Sequence, residues 1–221
     1  MTQRREASTT ARTTPTDSDP LDLDLTRHKI LKGASEVFSR RGAKAPTVDE
    51  IVKASGVARR TFYRSFRNTD EVLLALYEVA CAKVIERIRR VVSEHDDAWG
   101  KLEAGIWSFL EFHSEAGQLL RVLQAEAMRP SSPLERRRED QLDEIAAIFE
   151  REIELSQRRR IDPMVLRGLL LCVEGLSNAF LARAQPGGEI DKKRARKVML
   201  RILGSTLAPD GIPGPPMPLA K

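Results

Sequence analysis

Residues 26–76 read TRHKILKGASEVFSRRGAKAPTVDEIVKASGVARRTFYRSFRNTDEVLLAL. Their punctuation predicts three short helices and the start of a longer one. Ile30, Leu31, Ala34, Val37 and Phe38 recur at steps of three and four, which makes one buried face. Gly42 follows as a C-terminal stop, where a left-handed residue is easiest for glycine. Thr47 and Glu50 have the spacing of a capping box, so a second helix opens there, with Ile51 and Ala54 facing inward. Ser55-Gly56-Val57 is the turn, and Gly56 supplies its backbone conformation. A third helix over Ala58 to Ser65 is pinned to the other two by Phe62 and Phe66. Asn68 and Glu71 predict a second capping box at the head of helix four. This is a helix-turn-helix layout, in which the third helix is the one that can enter a DNA major groove.

The run Thr47-Val48-Asp49-Glu50-Ile51, then Gly56-Val57, then Thr61-Phe62-Tyr63-Arg64 with Phe66, then Glu71-Val72-Leu73, resembles the DNA-binding domain of the tetracycline-repressor (TetR) family. The resemblance implies roles at the matching positions. Thr47 and Val48 would approach the DNA backbone or an adjacent base. Arg59, Arg60, Thr61, Tyr63, Arg64 and Ser65 would form the recognition face, with Tyr63 on a phosphate. Arg59 and Arg60 have the fork geometry for guanine O6 and N7. The sequence departs from the family pattern at three places. Ala58 stands where serine is common, Arg60 where glycine is common, and Thr69 where a phosphate-touching lysine is common. Arg67 is the expected substitute for that lysine.

Charge agrees with a nucleic-acid partner. Residues 25–69 carry 11 Lys and Arg against 3 Asp and Glu, whereas residues 70–221 carry 23 against 24. A basic patch confined to the helix-turn-helix unit is an electrostatic footprint for phosphate. The sequence contains no alternating strand pattern, so the fold class is all-α. No stretch approaches twenty uncharged apolar residues, and the N-terminus lacks an apolar leader, so neither membrane nor export is expected. Cys81 and Cys172 have no metal or disulfide spacing and suit a reducing cytoplasm. Phosphate loops, nucleophile elbows and dinucleotide fingerprints are missing, so neither catalysis, nor a cofactor, nor a metal is expected.

The chain divides into an N-terminal arm (1–24, read as disordered), the DNA-binding unit (25–69), a helical sensing and dimerisation body (70–208) and a Pro/Gly-rich tail (209–221). Six further helices are predicted, near 68–93, 97–113, 115–128, 133–156, 163–185 and 190–207. Helix eight carries Gly168, Cys172, Gly175 and Ala179 at steps of three and four. Helix nine offers Met199, Ile202 and Leu203 as an apolar stripe. The resemblance implies that these two helices form a four-helix homodimer interface. Trp107, Phe112, Leu123 and Phe149 are candidate apolar pocket residues, with His113, Glu174 and Asn178 as polar ones. The expected protein is a cytoplasmic homodimeric regulator, a repressor of a palindromic operator released by a small lipophilic effector. The competing expectation is a regulator controlled by a protein partner or by its own abundance.

Overall fold

The computed structural model describes residues 20–41, 46–115, 117–157, 161–183 and 191–207. It is all-helical, with α1 (Pro20–Arg41), α2 (Val48–Ser55), α3 (Arg59–Ser65), α4 (Thr69–Ser93), α5 (Ala98–Glu115), α6 (Gly117–Ala127), α7 (Glu135–Gln157), α8 (Pro163–Arg183) and α9 (Lys192–Leu207). The arm up to residue 19 and the tail from residue 208 lie outside the described residues. α1 begins at Pro20, upstream of the expected boundary. Proline suits the first helical position because its missing N–H has no partner there anyway.

α1, α2 and α3 close on one core in which Ile30, Ala34, Ile51 and Phe62 are fully buried. The Thr47 capping box forms as expected. The Glu50 amide donates to Thr47 Oγ1 at 3.3 Å, and the Thr47 amide donates to Glu50 Oε2 at 2.8 Å. The Thr47 backbone N–H and the Arg41 guanidinium hold the Glu50 carboxyl below the usual carboxylate range. Gly56 adopts φ 68° in the turn. At α4 the expectation needs correction. Asn68 caps by accepting from the Glu71 amide at 2.9 Å, but the Glu71 carboxylate accepts from the Arg67 amide, one residue before the cap. The reciprocal box is therefore displaced by one residue.

Gly33 sets the α1–α2 crossing. A Cβ there would stand 2.5 Å from the Ser55 nitrogen and 2.7 Å from its Cα. Backbone atoms cannot move aside as a flexible side chain can, so the two helices approach this closely only because residue 33 is glycine.

α4 leaves the head and runs through the body, burying Val72, Leu73, Leu76, Cys81, Val84 and Ile88 along its length. The bundle of α5, α7, α8 and α9 gathers around a second core that includes Leu110, Leu166, Ala195 and Met199. α6 bridges the two regions. Its Val122, Leu123 and Ala127 belong to the head core, beside Ile30, Phe62 and Leu76.

Candidate nucleic-acid interface and effector cavity

The third helix is amphipathic in a way that decides its use. Phe62 and Phe66 are sunk in the head core, while Arg59, Arg60, Tyr63 and Arg64 are exposed on the opposite side. Thr61 and Ser65 are half-buried at the edges, Thr47 is exposed and Val48 half-buried at the neighbouring start of α2, and Arg67 is exposed just beyond α3. The expected DNA-facing residues thus lie together along the exposed side of α3 and its flanks. Ala58 provides no side-chain cap, as its chemistry requires.

The exposed cations are not equivalent. Arg59 pairs with Asp49, donates to the Tyr63 hydroxyl at 3.3 Å and lies 5.5 Å over the Tyr63 ring. Arg67 pairs with Glu71 at 3.6 Å. Arg60 has no hydrogen bond or ion pair among the described residues. Arg27 of α1 stacks over Phe66 at 4.4 Å and donates to the Ser65 carbonyl at 3.5 Å. It anchors the C-terminal end of α3 to α1, a contact that its helical spacing alone did not signal.

The body encloses a cavity of about 470 Å³ walled by α4 to α9. Val84, Ile88, Ile106, Leu142, Ile145 and Leu169 make its walls apolar. Polar groups gather where α4, α5, α6, α7 and α8 meet. The Tyr77 hydroxyl donates to Gln141 Oε1 at 3.2 Å, and burial raises its pKa above the ordinary tyrosine value. Arg138 Nε donates to Glu174 at 3.0 Å in a two-pronged ion pair. The His113 ring lies with Nδ1 2.8 Å from the Phe109 carbonyl. A carbonyl only accepts, so Nδ1 carries the proton, and Nε2 accepts from the Gln124 amide. Burial holds this imidazole neutral, with its pKa pushed down to about 4. Burial also pushes the Cys81 thiol up to about 11, which makes it an inert wall residue. On the α5–α7 side, Lys101 pairs with Glu152 across the lining, beside the partly exposed Trp99.

Four of the seven expected pocket residues line this cavity: Phe112, His113, Phe149 and Glu174. Three do not. Trp107 lies on the other side of α5, under Arg196 at 5.4 Å and Lys192 at 5.9 Å from α9. Leu123 is 1% exposed in the head core. Asn178 donates its amide to the Met128 sulfur at 3.0 Å. Sequence reading missed Tyr77, Gln141 and Lys101. Tyr77 shares the buried stripe of α4 with Leu73, Leu76 and Cys81, so it was detectable. Gln141 sits in a charged helix whose pattern gives no signal.

The expected interface residues also divide. A Cβ built at Gly168 or Gly175 meets nothing within 4 Å. Ala179 is exposed, and Cys172 and Ile202 are half-buried. Beside them, Met164 is 70% and Leu171 41% exposed, so α8 presents an uncovered apolar face. Met199 and Leu203 are corrections. They are 0% and 4% exposed, buried against the rest of their own subunit, and cannot reach a partner. The same bare face explains why the window Pro163–Phe180 is apolar and long enough to cross a bilayer while only 17% buried. That window also carries Arg167 and Glu174, both ion-paired to α7, which marks α8 as one helix of this bundle. Among the described residues no group of His, Cys, Asp or Glu is arranged to hold a metal ion.

Residues 30–76 match the family described as bacterial regulatory proteins, tetR family. The chain is 29% identical over 103 residues to the transcriptional activator FasR of Mycolicibacterium smegmatis, covering 47% of each protein, about half the length of that relative. It is 23% identical over 179 residues to the fatty acid metabolism regulator protein of Bacillus subtilis, covering 81% of this chain and 80% of the relative. Among solved structures, Thermus thermophilus FadR, a repressor in complex with lauroyl-CoA, superposes with a TM-score of 0.64 at 23% identity. That match covers 86% of this chain and 100% of the other, and shows the shared fold.

Proposed function

We propose that this chain, whose residues 30–76 match the tetR family of bacterial regulatory proteins, is a homodimeric repressor released from its operator by an effector with an acyl chain. In this reading Arg60, Arg64 and Thr61 read base edges, while Thr47, Val48, Tyr63, Ser65 and Arg67 position the helix on phosphates. Arg59 contributes once Asp49 releases it. The exposed α8 face, with the outer side of α9 at Ile202, joins two subunits. Their recognition helices then read half-sites about 34–36 Å apart.

One observation carries the switching part of the proposal. α6 lends Leu120 and Gln124 to the cavity wall and Leu123 and Ala127 to the head core. α4 is shared in the same way, with Leu73 and Leu76 in the head core and Val84 and Ile88 on the cavity wall. A ligand that displaces either helix must therefore move the head, and bundles relax between discrete packings rather than continuously. The largely aliphatic wall suits an alkyl chain better than a flat cation, which would need an aromatic cage. The fatty-acid regulator and the lauroyl-CoA complex among the similar proteins point the same way.

The test starts with an operator selected from random duplexes and titrated by fluorescence anisotropy. Saturating laurate or lauroyl-CoA should weaken operator binding by roughly 5–150-fold, the usual range of allosteric coupling. Arg60→Gly should cost about 1–3 kcal/mol of specific binding and relax one position per half-site. Tyr63→Phe should weaken all sequences alike. If acyl ligands stabilise the protein yet leave operator affinity unchanged, control by a protein partner or by abundance replaces this reading.

A further inference from the structure

One polar atom of the cavity wall is left over. Gln124 of α6 is 8% exposed and lines the cavity. Its side-chain amide donates to His113 Nε2, while its Oε1 is buried with no hydrogen-bond partner among the described residues. Turning the amide over does not repair this. The His113 Nδ1 proton is committed to the Phe109 carbonyl, so Nε2 of the neutral ring offers a lone pair and must face the amide nitrogen. A buried carbonyl oxygen without a donor is costly, because it has given up water and gained nothing in exchange.

This end of the cavity is rich in acceptors. Gln124 Oε1, Gln141 Oε1 and the Glu174 carboxylate all belong to lining residues. The Tyr77 hydroxyl is spent on Gln141, and the Arg138 guanidinium on Glu174 and Glu139. A carboxylate, an ester or an ether placed here would bring only further lone pairs and leave the Gln124 oxygen unpaired. A hydroxyl brings the missing proton. The other end of the cavity differs. Trp99, near the start of α5, lines the cavity and is 41% exposed, so the cavity meets the surface there. It stands roughly 20 Å from His113 along the helix axis.

We infer that the chain bound in the cavity carries a hydroxyl at its inner end, which donates to Gln124 Oε1, and that its other end lies toward Trp99. This rests on the reading of the cavity as an acyl site and adds what the buried end of the ligand must be. As the helices now pack, the oxygen is closed off, so the hydroxyl reaches it only if Gln124 moves. Gln124 shares α6 with Leu123 and Ala127 of the head core. The new hydrogen bond therefore acts on the helix that joins the cavity to the head. Two kinds of molecule present this group: a fatty acid hydroxylated at its far terminus and entering tail first, and a fatty alcohol entering hydroxyl first.

The experiment uses the full chain and four probes: ω-hydroxylaurate, ω-methoxylaurate, laurate and lauryl alcohol. Each is also tried as its ten- and fourteen-carbon homologue, so that reach is not what is being compared. Calorimetry should find ω-hydroxylaurate, or a homologue, bound about fivefold or more tightly than the matching plain acid. The methoxy acids should show no such gain, since an ether oxygen accepts but cannot donate. Whichever of the hydroxy acid and the alcohol binds tighter names the source. Gln124→Met should erase the hydroxyl advantage and leave laurate affinity as in the parent. Gln124→Glu, which keeps an acceptor at the same place, should retain the advantage. The comparison of hydroxyl with methoxyl needs no variant, so it decides even where Gln124→Met fails to fold. Equal affinity of hydroxy, methoxy and plain acids at every length would overturn the inference, as would an advantage that survives in Gln124→Met or disappears in Gln124→Glu. Those outcomes leave the acyl reading standing. Failure of every probe to bind would sink the acyl reading itself.

Discussion

The head and the body solve opposite packing problems. In the head, α1 and α2 cross so closely that even one methyl group at Gly33 would collide with backbone. In the body, six helices pack around a space of about 470 Å³ that their side chains leave open. A DNA reader needs a fixed angle between helices, because a base-edge contact fails with small displacements. In the proposed reading the body is a sensor, which needs room and a packing that can settle in two ways. Tolerance to added volume should therefore differ sharply between the two regions.

The largest effect expected is at the crossing. Gly33→Ala should destabilise the head by about 3 kcal/mol, the upper end of overpacking costs, because its collision is with backbone. Specific operator binding should vanish at temperatures where the body still binds acyl ligands. Thermal unfolding paired with ligand titration separates the two. A variant as stable as the parent and able to bind its operator would break the contrast.

A comparable but pH-gated effect belongs to His113. Its pKa falls from 6.5 to about 4 in the folded protein, chiefly through burial. The neutral ring is the folded form, so the contribution is complete above pH 6.5. It is lost as pH drops toward 4, because the unfolded chain takes up the proton first. Over that window the loss is of the order of 3 kcal/mol at most. His113→Gln should flatten the acid limb of a stability-against-pH curve. An unchanged limb would mean that the imidazole titrates freely.

The smallest effect is the sharpest test of the comparison. Ala146 lines the cavity on α7. Ala146→Leu should change folding stability by less than about 1 kcal/mol, since the added methyl groups enter open space rather than a filled core. Acyl ligand affinity should nevertheless fall at least tenfold, with ligand-free operator affinity intact. A large loss of stability would show that the body is packed as tightly as the head.

The head was readable residue by residue because its signals are local. The capping spacing of Thr47 and Glu50, the turn glycine at 56 and the paired phenylalanines at 62 and 66 each fix a neighbour a few residues away. What was not readable there is Gly33, which looks like an ordinary weak point inside a helix until α2 is laid across it. In the body, α4 to α9 were predicted to within a few residues, since amphipathic periodicity survives in isolation. Which apolar residue lines the cavity was not. Trp107 and Phe112 sit five positions apart on α5, about 140° around the helix, and only the placement of α4 and α9 assigns one to the cavity and the other to a cation–π contact. Met199 and Leu203 made the same kind of trap: the stripe was real, but it faces α5 and the cavity rather than a partner.

By itself, then, the sequence determined the all-helical architecture, the helix-turn-helix unit and the basic face of α3. Those properties follow from spacing along one chain, where periodicity, caps and charge density act over one or two turns. Tertiary structure alone decided the close α1–α2 crossing, the sharing of α6 between head and cavity, and the placing of Phe112 on the cavity wall while Trp107 lies under α9. Each of these depends on the distance between residues far apart in the chain, and a linear pattern carries no information about the void or the neighbour that a side chain will meet.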